Sequence, residues 1–182
     1  MRLELLTTLQ KNDIGIWIPI SQEKFALVDA NIYKEVVKYR WNYTKKGYVN
    51  RYIKNEDGSY STEYLHQFVI FQELEEYLDD IDHKNGDRQD CRRSNLRIGS
   101  RSLNNANSRK RSNAVSSKYK GVCFGKREQK WRARLTIDKK EKYLGTYDTE
   151  VEAAKAYNEA AKKYFGEFAY LNEVDECKKI RI

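Results

Sequence analysis

The segment 149–166, TEVEAAKAYNEAAKKYFG, constrains the fold more than any other part of the sequence. Its Ala153, Ala154, Ala156, Tyr157, Ala160, Ala161 and Tyr164 recur at helical spacing and are expected on one face. Side chains that small bury useful area only against a partner that comes close. The partner on offer is the run just upstream, YKGVCF (119–124), KWRARLTI (130–137) and KYLGTYD (142–148), three alternating segments separated by charged turns. Asp148 or Thr149 caps the helix, Glu152 sits three residues beyond Thr149, and Gly166 ends it. The expectation is a three-stranded antiparallel sheet with one helix packed behind it. Within KWRARLTI, Trp131, Ala133, Leu135 and Ile137 should face the helix, and Arg132, Arg134 and Thr136 should face outward.

The rest of the chain reads as short elements. GIWIPI (15–20), FALVD (25–29) and GYVNRYI (47–53) are strand-like, and Asp57-Gly58 marks a hairpin turn. IYKEVVKYRW (32–41) and LHQFVIFQELEEYL (65–78) have helical spacing. DDIDH and LRIGS (96–100) are short strands flanking a polar loop with Gly86 at its turn, and 100–111 is a basic helix begun by a Ser cap. The expected organisation is a β-rich scaffold (1–62), a second region (63–111), a linker (112–118), the sheet-and-helix domain (119–172) and a tail (173–182), in the α+β class.

Charge is segregated along this plan. Residues 84–142 carry 19 Lys/Arg against 5 Asp/Glu, a net of +14, whereas 1–83 and 143–182 are net −4 and −2. A basic tract interleaved with Tyr119, Phe124, Trp131 and Tyr143 is the footprint of a polyanion binder. The plainer alternatives are a solvated basic face or a disordered tail, and Trp131 with its alternating neighbours weighs against disorder. No apolar run approaches the ~18 residues of a membrane span, and MRLELLTTLQKNDIG lacks the features of a secretion signal. Cys91, Cys123 and Cys177 are scattered without a CxxC pair, which argues against a disulfide scaffold or a zinc ribbon. A cytoplasmic setting is expected.

The chain has two histidines, His66 and His83. His83 lies beside Asp82 and just before Gly86, so the two side chains can serve one site only where the strand ends. Asp82 is a hard oxygen donor suited to a cation such as Mg²⁺, and an Asn104 carbonyl oxygen could complete its shell. A histidine suits proton abstraction from water near neutral pH. An Asp-His pair before a glycine turn is also an ordinary capped loop; Asn95 and Asn104 in register are what separate the readings.

LH (65–66), DHKNGD (82–87), NLR (95–97) and SLNNANSRKR (102–111) resemble the HNH nuclease family, in the Asn-ending version found in phage and intron homing endonucleases. The resemblance implies a ββα-metal fold, with Asp82 and Asn104 as metal ligands for Mg²⁺ or Mn²⁺. It implies His83 as the general base and Asn95 as the residue that ties down the loop and orients the imidazole. Cys91 stands where the family often has a polar residue, a departure expected to touch no catalytic role. His66 is read as a structural or phosphate-contacting histidine, outside the catalytic set. The segment 25–52 resembles, more weakly, what precedes such motifs, with DNA contacts open for Arg51 or Lys54.

YKGV (119–122), KWRARL (130–135), LGTYDTEVEAAKAYNEAA (144–161) and Asn172 resemble the apetala-two/ethylene-response-factor DNA-binding domain. On that reading Arg132 and Arg134 read base edges in the major groove, and Lys120, Lys126, Arg127, Lys130, Lys140 and Lys142 hold phosphates. The function expected is a metal-dependent HNH DNA endonuclease docked on double-stranded DNA, a monomer that nicks, with dimerisation left open. The alternatives are a DNA-binding regulator with a vestigial nuclease fold, and a non-catalytic structural nucleic-acid or RNA-binding protein.

Overall fold

In the computed structural model, which describes residues 15–76, 78, 80–110 and 116–174, alternation of apolar and polar residues pairs the first two strands. In this hairpin β1 (Gly15–Pro19) and β2 (Phe25–Asp29) run antiparallel, with Ile18 opposite Ala26 and Ile16 opposite Val28. Ile18, Ala26 and Val28 are buried, and Trp17 and Phe25 on the other face stay exposed.

The stripe expected over 32–41 shrinks to one short helix, α1 (Tyr33–Val36), of which only Val36 is buried. Val37 and Tyr39 remain exposed, and Trp41 turns inward to donate from Nε1 to the Val36 carbonyl at 2.9 Å. A helix this short cannot repay its own nucleation, so packing around Val36 and Trp41 holds it rather than periodicity.

Three strands follow in the order β3 (Asn42–Tyr43), β4 (Val49–Lys54), β5 (Tyr60–Tyr64), all antiparallel, with the Asp57-Gly58 turn between β4 and β5. Gly58 takes a φ of +83°, and Asp57 Oδ1 accepts from the Ser59 amide at 2.8 Å. Arg51 pairs with the buried Glu63 at 2.5 Å and lies over the Tyr39 ring at 3.5 Å. Arg51 is therefore occupied in a structural pair, contrary to the DNA contact left open for it. Helix α2 (Leu65–Leu74) stops short of 78, because Glu75 adopts a left-handed conformation (φ +54°).

A two-stranded sheet of β6 (Ile81–His83) and β7 (Leu96–Ile98) closes this unit. One core joins it to the upstream segment, packing Val28, Val36, Trp41 and Val49 with Leu65, Phe68, Ile70, Ile81 and Leu96. The compact units divide between Gly99 and Ser100. Helix α3 (Arg101–Asn107), capped by Ser100 Oγ accepting from the Leu103 amide, thus belongs to the second unit. Lys110 and Lys120 explain why. Lys110 Nζ donates to the Tyr119 and Val122 carbonyls, and Lys120 Nζ donates to the carbonyls of Asn105, Ala106 and Ser108. Residues 112–115 of the expected linker, 175–182 of the tail, and 1–14 lie outside the described residues.

The second unit carries the antiparallel sheet β8 (Val122–Gly125), β9 (Lys130–Ile137), β10 (Lys140–Tyr147), with β9 central, and helix α4 (Glu150–Phe165) behind it. The fold is α+β, as expected. Thr149 is the cap, and it exchanges bonds with Glu152 in a capping box. Ala153, Ala154, Tyr157, Ala161 and Phe165 form the buried face, while Tyr164, expected there, is exposed beside Lys142. Asn172 fastens the C-terminal segment: it brackets Lys120, accepting from its amide and donating to its carbonyl, and Asn158 brackets Asn172 in the same way.

Gly121 lies where this packing is tightest. Its φ is +73°, and a Cβ there would stand 2.1 Å from the Tyr157 ring and 2.5 Å from the Arg134 carbonyl oxygen. Strain and overpacking combine, so Gly121→Ala should destabilise the second unit by about 2–4 kcal/mol. Thermal unfolding of the full chain measures this, and a melting temperature equal to the native one would contradict the packing.

Candidate active site and nucleic-acid face

Antiparallel pairing puts opposed residues on the same face of a sheet. In the β6–β7 hairpin, Asp82 is opposite Arg97 and His83 is opposite Leu96. Arg97 donates from Nε and Nη2 to Asp82 Oδ2 at 2.9 and 2.7 Å, and both side chains are largely buried. This charge-assisted pair holds the carboxylate in one orientation. Arg97 lies inside the NLR motif, yet the sequence reading assigned it no part.

Between the strands, the loop 84–95 must satisfy its own backbone polar groups. Asn95 does much of this. Its Nδ2 donates to the Asp90 carbonyl at 2.7 Å, its Oδ1 accepts from the Asn85 amide at 3.1 Å, and its backbone carbonyl accepts from the Lys84 amide at 2.8 Å. Asp90 adds a second knot, accepting from Asn85 Nδ2 and twice from the Arg92 guanidinium. These bonds hold its carboxyl below the ordinary carboxylate range despite burial. Strand β2 lies along the loop: the Leu27 amide donates to Gln89, and the Cys91 amide donates to Leu27.

His83 ends its strand facing this buried side. The His66 ring meets it edge-on with centroids 5.1 Å apart, the Tyr48 ring lies at 6.2 Å, and Cys91 Sγ lies 3.9 Å from its Nε2. His66 is stacked on Tyr64, and its Nδ1 is buried without a hydrogen-bond partner among the described residues. His66 and Cys91 therefore belong to the environment of His83, so the departure at Cys91 adjoins the imidazole for which the family resemblance implies a role. Sequence position could not show this, because 17 residues separate His66 from His83; the Leu-His pair was the one signal available.

Burial holds both imidazoles neutral at ordinary pH. His66 is pushed down to about 3, first by burial and then by the His83 charge. His83 is pushed down to about 4 by burial; Asp82 partly opposes the shift, Arg88 adds to it, and Asp87 and Asp90 oppose it. A neutral imidazole is the form that can accept a proton.

Asn104 lies on α3, in the second unit, where its Oδ1 is buried without a hydrogen-bond partner among the described residues. An orphaned amide oxygen is costly unless something coordinates it. Its chemistry and that of the Asp82 carboxylate fit a hard divalent cation. No cluster of three or more His, Cys, Asp or Glu side chains suited to a metal occurs among the described residues.

On the β8–β10 sheet, Ala133 and Leu135 are buried against the helix side, and Arg132 and Arg134 project from the opposite face with Cys123, Tyr143 and Thr146. Each arginine has a carboxylate partner, Glu128 for Arg132 and Glu141 for Arg134, the latter at 3.0 Å. Lys126 and Arg127 lie exposed in the β8–β9 turn, and Lys130 pairs with Asp148 at 2.9 Å. Three expected phosphate contacts are placed otherwise. Lys120 is committed to the carbonyls that end α3, and burial pushes its pKa down to about 8. Lys140 and Lys142 lie on β10, opposite Ile137 and Leu135, so they point to the helix side.

Two family profiles match the chain: an HNH endonuclease domain over residues 79–106 and an AP2 domain over 117–167. The chain is similar to an uncharacterized HNH endonuclease of Acanthamoeba polyphaga mimivirus, 31% identical over 157 residues, covering 83% of this chain and 76% of that protein. Its C-terminal part is similar to an AP2-like ethylene-responsive transcription factor of Arabidopsis thaliana, 40% identical over 67 residues. It is also similar to an APETALA2-like protein of Oryza sativa subsp. japonica, 48% identical over 59. Those two matches cover 37% and 31% of this chain but only 14% and 13% of the plant proteins.

The two depressed histidines make stability pH-dependent. Both fold with values below the ~6.5 of an exposed imidazole, so the unfolded chain takes up protons first as the pH falls. Stability from this source is complete above about pH 6.5 and declines toward pH 4, by up to about 1.4 kcal/mol per histidine per pH unit. His66→Phe should remove about one proton from that slope. Urea unfolding between pH 7 and 4.5 reads it, and equal slopes for the two proteins would count against neutral burial of His66.

Proposed function

The chain belongs to the HNH endonucleases, and from that premise we propose that it is a DNA endonuclease of the homing type, docked on duplex DNA by its AP2 domain. The observation that carries the reading is a buried imidazole, neutral at ordinary pH, at the end of a strand and next to an oriented carboxylate. In the proposed reaction His83 takes a proton from the water that attacks phosphorus. Asn95 keeps the loop closed, so that His83 stays at the strand end. Asp82 and Asn104 would hold one divalent cation, Mg²⁺ or Mn²⁺, which when bound supplies Lewis-acid stabilisation of the leaving 3′-oxygen and the phosphorane charge. Arg97 keeps the Asp82 carboxylate turned one way.

The AP2 domain supplies the docking face. Arg132 and Arg134 are proposed to read bases, exchanging their glutamate partners for guanine edges, while Lys126, Arg127 and Lys130 meet phosphates. One catalytic centre on one chain acts on one strand at a time, so a monomer nicks. Among the described residues no helix is long and apolar enough to cross a membrane, and a cytoplasmic setting remains the proposal.

A supercoiled-plasmid assay with the full chain tests the reading. Nicking should require Mg²⁺ or Mn²⁺, and His83→Ala should lower the rate ~10²–10⁴-fold while DNA affinity stays unchanged. Absence of nicking with either metal, or full activity in His83→Ala, would overturn it. For docking, Arg134→Ala should cost ~1–3 kcal/mol of binding and relax preference at one position. Lys126→Ala should weaken all sequences alike and lower the salt slope by about one. Salt titrations on target and scrambled duplexes distinguish these outcomes.

A further inference from the structure

Building on the reading of Asn104 as a cation ligand, we propose that Lys120 is a positioning residue for that cation. By fastening α3 to the AP2 domain, Lys120 makes the DNA-docking unit the carrier of one of the two metal-holding groups. The HNH match runs to residue 106, yet the compact unit that holds its first part ends at Gly99. Asn104 therefore folds with the second unit. Whatever fixes α3 there also fixes the Asn104 Oδ1, which is buried without a hydrogen-bond partner among the described residues.

A helix of seven residues is too short to stand alone, so α3 depends on what it packs against. Its Ala106 is buried with Leu135, Tyr157, Ala161 and Phe165 of the AP2 domain, and Leu103 packs beside them. Polar bonds complete the attachment. An ammonium has three donors, and those of Lys120 converge on the carbonyls of Asn105, Ala106 and Ser108 at 3.3, 2.6 and 2.6 Å. These carbonyls lie at the end of the helix, where no intrahelical donor remains and a cation is favoured. The Tyr170 amide donates to the Ala106 carbonyl as well, at 3.3 Å. Lys120 is itself held at its backbone. Asn172 accepts from its amide at 2.6 Å and donates to its carbonyl at 3.0 Å. A run of hydrogen bonds thus leads from Asn158 on α4, through Asn172 and Lys120, to the last turn of α3. Asn104 belongs to that turn, beside the Asn105 carbonyl that Lys120 grips. Lys120 touches neither cation nor DNA in this scheme; it acts through the helix.

Lys120→Met keeps the apolar stem and removes the donors. Amide hydrogen exchange of the full chain, without metal, is the first measurement. The α3 amides should exchange about 10- to 100-fold faster, the size of one charge-assisted hydrogen bond, while the β9 amides keep their protection. Titration with Mn²⁺, followed by calorimetry, is the second. Affinity should fall about 10- to 100-fold, as for loss of a group that orients a metal ligand. The double variant Lys120→Met, Asn104→Ala should bind no more weakly than Asn104→Ala alone, because both changes act through one ligand. Duplex affinity in EDTA should be unchanged. Native-like α3 exchange or native Mn²⁺ affinity in Lys120→Met overturns the inference, and so does lost protection in β9, which makes Lys120 a general prop of the domain. A loss of duplex affinity alike for all sequences, with a salt slope lower by about one, overturns it in favour of a phosphate contact. A native chain that takes up no Mn²⁺ overturns the cation role together with the reading of Asn104 beneath it. The exchange of α3 separates that failure from failure of the tether.

Discussion

A polar loop of twelve residues, 84–95, joins two strands of only three residues each, and the chemistry proposed for this protein hangs on how that loop closes. The β6–β7 ladder is too short to fix its own geometry. Asn95 compensates with bonds from its side chain and backbone to Asp90, Asn85 and Lys84. Strand β2 seals the far side through Leu27. With the loop tied at both points, Cys91 is driven into the core and its sulfur comes against His83. Burial, more than any charge, then keeps the imidazole neutral.

The two faces of the β6–β7 hairpin divide the electrostatic work. Asp82 shares one face with Arg97, where a cation orients the carboxylate. His83 shares the other with Leu96, where desolvation sets its protonation state. Adjacent residues on one strand thus live in opposite environments, a separation that suits a metal-binding acid and a proton-accepting base. The second unit contributes by a different route. Its alanine-lined helix lies so close to the sheet that Gly121 has no room for a Cβ, and the inward faces of the strands are spent on that contact. The outward face is left to Arg132, Arg134, Tyr143 and Thr146.

Local rules made much of this legible. The Thr149–Glu152 capping box, the Ser100 cap, the Asp57-Gly58 turn and the alternation in KWRARLTI each rest on interactions within a few residues, and each stands in the structure as expected. Expectations that depended on distant neighbours fared differently. The stripe over 32–41 is mostly loop around Val36, because Trp41 and Phe68 rather than periodicity decide what is buried there. Charge and motif point Lys120 at a phosphate, whereas the carbonyls that end α3 claim all its donors. Strand β10 begins at Lys140, two residues before the expected segment, and its register sets both Lys140 and Lys142 on the helix side.

The sequence by itself determined the kinds of chemistry present: one Asp-His pair, two asparagines at family spacing, a concentrated basic tract, and an amphipathic helix that demands a sheet. Residue type, local periodicity and charge are properties of the chain, and they survive without a fold. Tertiary structure alone decided which of these groups are dry and which are engaged. It put His66 and Cys91 around His83, gave Asp82 to Arg97, and withdrew Lys120 and Arg51 from the solvent-facing set. The physical reason is that desolvation and pairing depend on neighbours brought together across tens of residues, and no local pattern encodes those distances.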